Sequence, residues 1–352
     1  MNENRQCRRA RESTDSPRLP PFVHCTVVCL LLFITCAAAQ GGEERHDSAQ
    51  DEVKAGTLLL QQGNFPEAKA HFERAQALHG KPTAETTAGI GLAELQMGNF
   101  EAARQMFTLE LQYVTNDHAR AQAHYMIGSA WFREARDNDR HKLEAAEKSF
   151  REAVKFDPRY DLAYFNLGYV MLRQNKEEDS NQAFRDFIRA AAENPESERD
   201  LPLTPKTSAP KFNVVDSAGK PLSSDSLRGR FVLLDFWATW CPPCIRALPA
   251  MRQLSHFFPG SKFLLVSVNE DDDRDVWRRF NDLQHMDWTQ VGDENAALYH
   301  AFGLTPPGSN LSLPRYVLID REGFVRQIYS GTDQLGMVVG QVVRLVRNAE
   351  AR

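Results

Sequence analysis

Phe231-Val-Leu-Leu-Asp-Phe-Trp-Ala-Thr-Trp-Cys-Pro-Pro-Cys244 is the stretch on which the reading of this chain turns. Phe231 to Phe236 is an apolar strand interrupted by a single acid, Asp235, and the segment from Cys241 opens a helix. A helix start presents unpaired backbone N–H groups and roughly half a unit of positive charge, which stabilises a cysteine there as its thiolate. Cys241 is therefore the expected nucleophile. Cys244 stands one turn later on the same side of the helix, within reach of the first sulfur, and takes the resolving role in a disulfide exchange.

The chain has six cysteines: Cys7, Cys25, Cys29, Cys36, Cys241 and Cys244. The first four lie in an N-terminal targeting segment, so the exported part is left with one pair. Zinc would need further cysteine or histidine ligands that the neighbouring sequence does not supply, and covalent haem attachment would need His at position 245, which is Ile. A purely structural disulfide competes with the redox pair, although closing so short a loop constrains the unfolded chain little. No metal or cofactor is expected.

Residues 210–347, about 40% of the chain, resemble the thioredoxin superfamily, and within it the exported, membrane-associated TlpA/ResA-type reductases. The resemblance runs through a hairpin between Phe212 and Leu227 with a Gly219-Lys220 turn, the Phe236 to Cys244 signature, and Pro249 at the helix-kink position. A buried strand follows from Phe263 to Asn269. Two helical patterns come next, Val276/Phe280/Leu283 and Ala297/Leu298/Ala301/Phe302. Strands at Tyr316–Ile319 and Val325–Tyr329 are joined through Gly323, and Leu335, Val338, Val339, Val342, Val343 and Val346 share one face of a last helix. Strands alternating with helices imply a mixed α/β sheet covered on both faces.

The resemblance also assigns roles. Asp235 matches the buried acid beneath the active-site helix, where burial raises a carboxyl pKa and allows proton exchange with Cys244. Its competing role is that of a strand-end acid satisfied by backbone donors. Pro314 matches the cis-proline loop facing the sulfurs, so Trp240, Pro242, Pro243, Leu313, Pro314 and Arg315 are the expected substrate-binding residues. Arg315 departs from the family's small polar residue, and Thr305 to Asn310 forms an insert at the rim of the groove. The lysine that partners the buried acid in thioredoxins is replaced by Ser267. The acidic run Glu270 to Asp273 is expected to be a solvated loop.

Arg8, Arg9, Arg11 and Arg18 precede an apolar run from Phe22 to Ala39, ending in a small-residue Ala37-Ala38-Ala39 site: an export signal, cleaved or retained as an anchor. Its eighteen residues sit at the short end of the roughly 17 to 25 needed to span a bilayer. The basic flank places the body outside the cytoplasm, in a periplasmic or equivalent space. Net charge is +2 over residues 1–39 and −7 over the rest, which leaves no basic face for nucleic acid. The 313 residues after Ala39 exceed one ordinary core and suggest two domains.

Gly63-Asn64-Phe65 recurs as Gly98-Asn99-Phe100, a period of 35 residues that points to helical hairpin repeats. Gly56, Gly91, Gly128 and Gly168 fall at the small first-helix position, and Phe72, Phe107, Phe150 and Phe184 on the second helices. These units resemble tetratricopeptide repeats (TPR), whose pattern is structural first. The third carries an insert at 137–142. Polar first-helix positions such as Asn166 and Arg173 are candidates for a concave ligand surface. The expected organisation is a signal or anchor at 1–39, a polar linker at 40–50 and an all-α TPR solenoid of about four units at 51–195. A Pro-rich, semi-rigid linker at 196–210 and a thioredoxin-like α/β domain at 211–352 complete it.

The expected activity is reduction of client disulfides by an exported thiol:disulfide oxidoreductase, with the repeats recruiting a protein partner. Thiol–disulfide sites span on the order of 150 mV between reducing and oxidising types, and Pro242-Pro243 resembles the reducing subfamily. With no third cysteine in the exported body, electrons must come from a membrane donor protein. Two alternatives stand: a TPR adaptor with a catalytically minor thioredoxin-like domain, and a peroxiredoxin-type thiol peroxidase.

Overall fold

A computed structural model of the chain describes residues 43–136, 139–194, 203, 205–305, 309–331 and 335–350. The expected signal segment lies outside them, and no helix among the described residues is long and apolar enough to cross a membrane.

The helical part is a run of hairpins: α1 (Glu43–Gln61) with α2 (Phe65–His79), α3 (Ala84–Met97) with α4 (Phe100–Glu110), α5 (Asp117–Glu134) with α6 (Arg140–Phe156), and α7 (Asp161–Arg173) with α8 (Glu177–Glu193). The stretch expected as a polar linker is helical from Glu43. Glycine matters where paired helices approach each other. A Cβ on Gly56, Gly91, Gly128 or Gly168 would fall 2.9, 2.8, 2.8 and 2.7 Å from the ring of Phe72, Phe107, Phe150 and Phe184 respectively. Each repeat thus seats its own phenylalanine on a bare helix backbone, and all four rings are buried.

The second part holds β1 (Thr207–Ser208), β2 (Asn213–Val215), β3 (Pro221–Ser223), β4 (Phe231–Trp237), α9 (Pro242–Phe257), β5 (Phe263–Asn269) and α10 (Arg274–Leu283). Then follow β6 (Thr289–Gly292), α11 (Ala297–Ala301), β7 (Arg315–Ile319), β8 (Phe324–Ser330) and α12 (Leu335–Glu350). The main sheet runs β1-β8-β7-β4-β5-β6, with β2 and β3 as a separate hairpin. β4 pairs in parallel with β5 and antiparallel with β7, so it lies in the interior of a mixed sheet. Its residues alternate: Val232, Leu234 and Phe236 enter the core on one face, while Leu233, Asp235 and Trp237 face the other.

Three expectations about these elements change. Thr207 and Ser208, assigned to the linker, pair with Val325 and Phe324 and extend the sheet edge. In α10 the buried face is Trp277 and Asn281, with Phe280 half-buried; Val276 and Leu283 are exposed. The large indole sets that face, because it packs in the cluster that contains the two cysteines. In α11, Leu298 and Tyr299 are buried and Ala297 is not.

The repeats and the sheet domain do not sit apart on a tether. α8 packs against α9 and α12, and α7 against α12, within one hydrophobic cluster that includes Phe165, Tyr169, Phe187, Met251, Leu254 and Val342. At its centre Arg344 Nη1 meets Asp161 Oδ2 at 2.8 Å, both side chains 2% exposed. Tyr169 Oη donates to Arg246 O at 3.1 Å and Gln253 Nε2 to Asn181 Oδ1 at 3.3 Å.

Candidate active site

Cys241 is the N-cap of α9, and its sulfur accepts from Cys244 N–H at 3.3 Å. The pair is bridged, with the Cα atoms 5.3 Å apart. Both cysteines are buried, in a cluster with Trp237, Ala238, Leu248, Trp277 and Met286. Trp240 beside them is 58% exposed and Pro242 is exposed, whereas Pro243 is half-buried. Leu313 packs at the edge of the same cluster, and the Leu313–Pro314 peptide is cis. These residues therefore surround one bridged dithiol. Arg315 begins β7, half-buried, with Nε donating to Ser312 O at 3.2 Å, so its guanidinium is tied back to its own loop.

Asp235 is buried on the face of β4 that also carries Trp237. Burial pushes its carboxyl up to about 7, partly offset by the Ser267 hydroxyl. That hydroxyl donates to Asp235 Oδ2 at 3.1 Å and accepts from Trp288 Nε1 at 2.9 Å. A neutral relay from an indole through a serine thus stands where thioredoxins carry a lysine, and with no opposing cation among the described residues, desolvation dominates. On the other side Tyr316 stands in register with Asp235, its hydroxyl buried without a hydrogen-bond partner among the described residues.

The acidic run is solvated only at its far end: Asp272 and Asp273 are exposed, Asp271 is half-buried, and Glu270 is buried, its N–H donating to Trp237 O at 2.9 Å. Burial, then Asp293 and Asp271, push its carboxyl up to about 9. Asp271 accepts from Thr239 N at 3.2 and 3.1 Å, from Thr239 Oγ1 at 2.9 Å and from Asn269 Nδ2 at 2.7 Å. It pins the loop that leads into Cys241. Asp273 caps α10 through Asp275 N and Val276 N. Asp271 and Asp273 thus serve as acceptors for the loop and for the start of α10, a demand that composition does not display.

The two repeat-surface candidates move inward. Asn166 is buried, and Arg173 donates to the carbonyls of Phe132, Ala135 and Arg136 at 3.4, 3.0 and 2.8 Å while lying over the Phe132 ring. Arg173 staples the fourth repeat to the C-terminal end of α5 in the third.

Residues 204–341 match the Redoxin family model, and residues 53–117 and 139–195 match the tetratricopeptide repeat model. Thiol-disulfide oxidoreductase ResA of Geobacillus thermodenitrificans is 30% identical over 126 residues, which are 36% of this chain and 69% of that relative. The chain belongs to the ResA-type thiol-disulfide oxidoreductase family. ResA of Bacillus subtilis is 29% identical over 130 residues, 37% of this chain and 69% of the relative. Among solved structures, a putative thiol:disulfide interchange protein DsbE from Chlorobium tepidum aligns with a TM-score of 0.37 and 25% identity, covering 41% of this chain and 99% of that one. This ResA-type protein is accordingly a thiol:disulfide oxidoreductase that carries TPR repeats.

Sequence reasoning missed Tyr316, Trp288, Tyr169 and the Thr239–Asp271 tie. Tyr316 was within reach, two residues after Pro314 at the start of an expected strand. The other three are joined to the site only by the tertiary fold.

Proposed function

We propose that this protein is exported and reduces disulfides of client proteins by dithiol exchange, with its repeats recruiting a protein partner. The Cys241 thiolate attacks a client disulfide, forms a mixed disulfide and releases one client thiolate. The Cys244 thiol gives its proton to Asp235, and the resulting thiolate attacks Cys241 Sγ. The intramolecular bridge forms and the second client thiolate leaves, so the client gains two electrons and this protein becomes oxidised. A membrane dithiol donor returns those electrons, since Cys241 and Cys244 are the only cysteines beyond position 36.

The observation that carries this reading is Cys241 at the α9 N-cap, its sulfur facing a backbone N–H one turn from its bridge partner and next to the Leu313–Pro314 loop. A helix terminus lowers a thiol pKa, and a carboxyl near 7 is matched to proton transfer at neutral pH. Export rests on the basic-apolar segment 1–39.

The test pairs insulin-disulfide reduction with peroxide consumption, and adds client trapping by Cys244→Ala. Insulin reduction with a mixed disulfide captured by Cys244→Ala, and none by Cys241→Ala, is the expected result. Peroxide consumption alone would identify a peroxidase, and neither activity a TPR adaptor.

A further inference from the structure

The interface between the repeats and the sheet domain runs up to the surroundings of Asp235. α9 crosses the sheet face that carries Leu233, Asp235 and Trp237, and α8 lies against α9. From the last repeat Tyr169 reaches in to donate to Arg246 O, two residues beyond Cys244. Tyr169 and Tyr316 are both buried in the shared core. The Tyr316 phenol is held well above its ordinary range by burial first, then by the nearby Asp235 carboxyl and the Tyr169 phenol. The groups around Asp235 are thus Ser267 from β5, with Trp288 behind it, Tyr316 from β7, and Tyr169 of α7 beyond Tyr316. α9 above carries Cys244 and Arg246.

We propose that the docked repeat array is a wall of the redox site, with Tyr169 and Tyr316 as positioning residues that keep water from Asp235. A free thioredoxin-like domain would present this side of α9 to solvent. Here the fourth repeat closes it, held by the buried Asp161–Arg344 pair and by contact at Gly336, where a Cβ would lie 2.9 Å from Leu162 and 3.0 Å from Phe165. The repeats therefore tune how the site holds its proton, in addition to any partner they recruit. The proton role of Asp235 rests on the proposed exchange mechanism, but the wall does not need it.

The experiment is a pH titration of the Asp235 carboxyl by ¹³C NMR, in the full chain with its disulfide closed and the resonance assigned by Asp235→Asn. Tyr169→Ala opens the wall from inside, and Gly336→Ile wedges the repeats away without touching the sheet. Tyr169→Phe keeps the ring and removes the hydroxyl that bonds Arg246 O. Admitting water relieves the desolvation that raises the carboxyl, so the midpoint falls by about one pH unit or more in Tyr169→Ala and Gly336→Ile. In Tyr169→Phe it stays at the wild-type value. A midpoint unmoved by both Tyr169→Ala and Gly336→Ile overturns the proposal. Insulin reduction by Asp235→Asn reads the other reading separately: unchanged activity removes the proton role and leaves the wall standing.

Discussion

Asp235→Asn should make the protein more stable, and increasingly so as the pH rises. The wild-type carboxyl titrates near 7 in the folded chain against a reference of 3.8, with burial as the cause. Between those two values the folded state holds a proton that the unfolded state has released, so wild-type stability falls with rising pH through that window and is flat above it. Each unit corresponds to about 1.4 kcal/mol, giving a cost of about 4 kcal/mol at pH 8 that a neutral amide escapes while still accepting from Ser267. Below the reference value both side chains are neutral in both states and the difference vanishes. Guanidinium unfolding of both proteins, disulfide closed, at pH 3.5, 6 and 8 measures it. A stability difference that is the same at all three pH values would refute the claim that desolvation of Asp235 is the origin of its proton affinity.

Glu270→Gln should gain stability over a different window, growing between 4.5 and about 9, the reference and folded values of that carboxyl, so the two acids separate in the same unfolding series. Arg344→Met should cost about 3 to 5 kcal/mol by leaving Asp161 buried without its cation, and Asp161→Leu with Arg344→Met should recover most of it, as read in a double-mutant cycle. Gly168→Val places side-chain atoms on the Phe184 ring, 2.7 Å from the Cβ position, and should lower stability by about 1 to 3 kcal/mol or more in thermal melts. Asp271→Ala releases Thr239 and should slow insulin reduction while costing about 1 to 3 kcal/mol in unfolding.

The parts legible in sequence were those whose cause is local or periodic. The dithiol needed only its place at a helix start after an apolar strand, and α9 begins there with Cys241 as its cap. The glycine and phenylalanine register of the repeats was readable because each pair belongs to one hairpin. The α12 face followed from spacing alone, and all six of its apolar residues are buried. The α10 face was misread because Val276 and Leu283 share an apolar spacing with Phe280, whereas the neighbouring cluster selects Trp277. Arg173 and Asn166 fit a concave surface by position, yet the carbonyls at the C-terminal end of α5 drew the guanidinium inward.

The sequence by itself determined that this chain carries a Cys-x-x-Cys pair on a strand-to-helix turn, an array of helical hairpins before it, and one acid in an apolar strand. Such features are written in spacing, because hydrogen bonding and capping act over a few residues. Only the tertiary structure decided what surrounds that acid: Ser267 and Trp288 from one side, Tyr316 from the next strand, and a repeat domain seated against the active-site helix. Asp161 and Arg344 are 183 positions apart and meet at 2.8 Å. No pattern along the chain encodes that distance. It arises because the apolar faces of α7, α8, α9 and α12 bury one another, and in the proposed wall that same burial raises the proton affinity of Asp235.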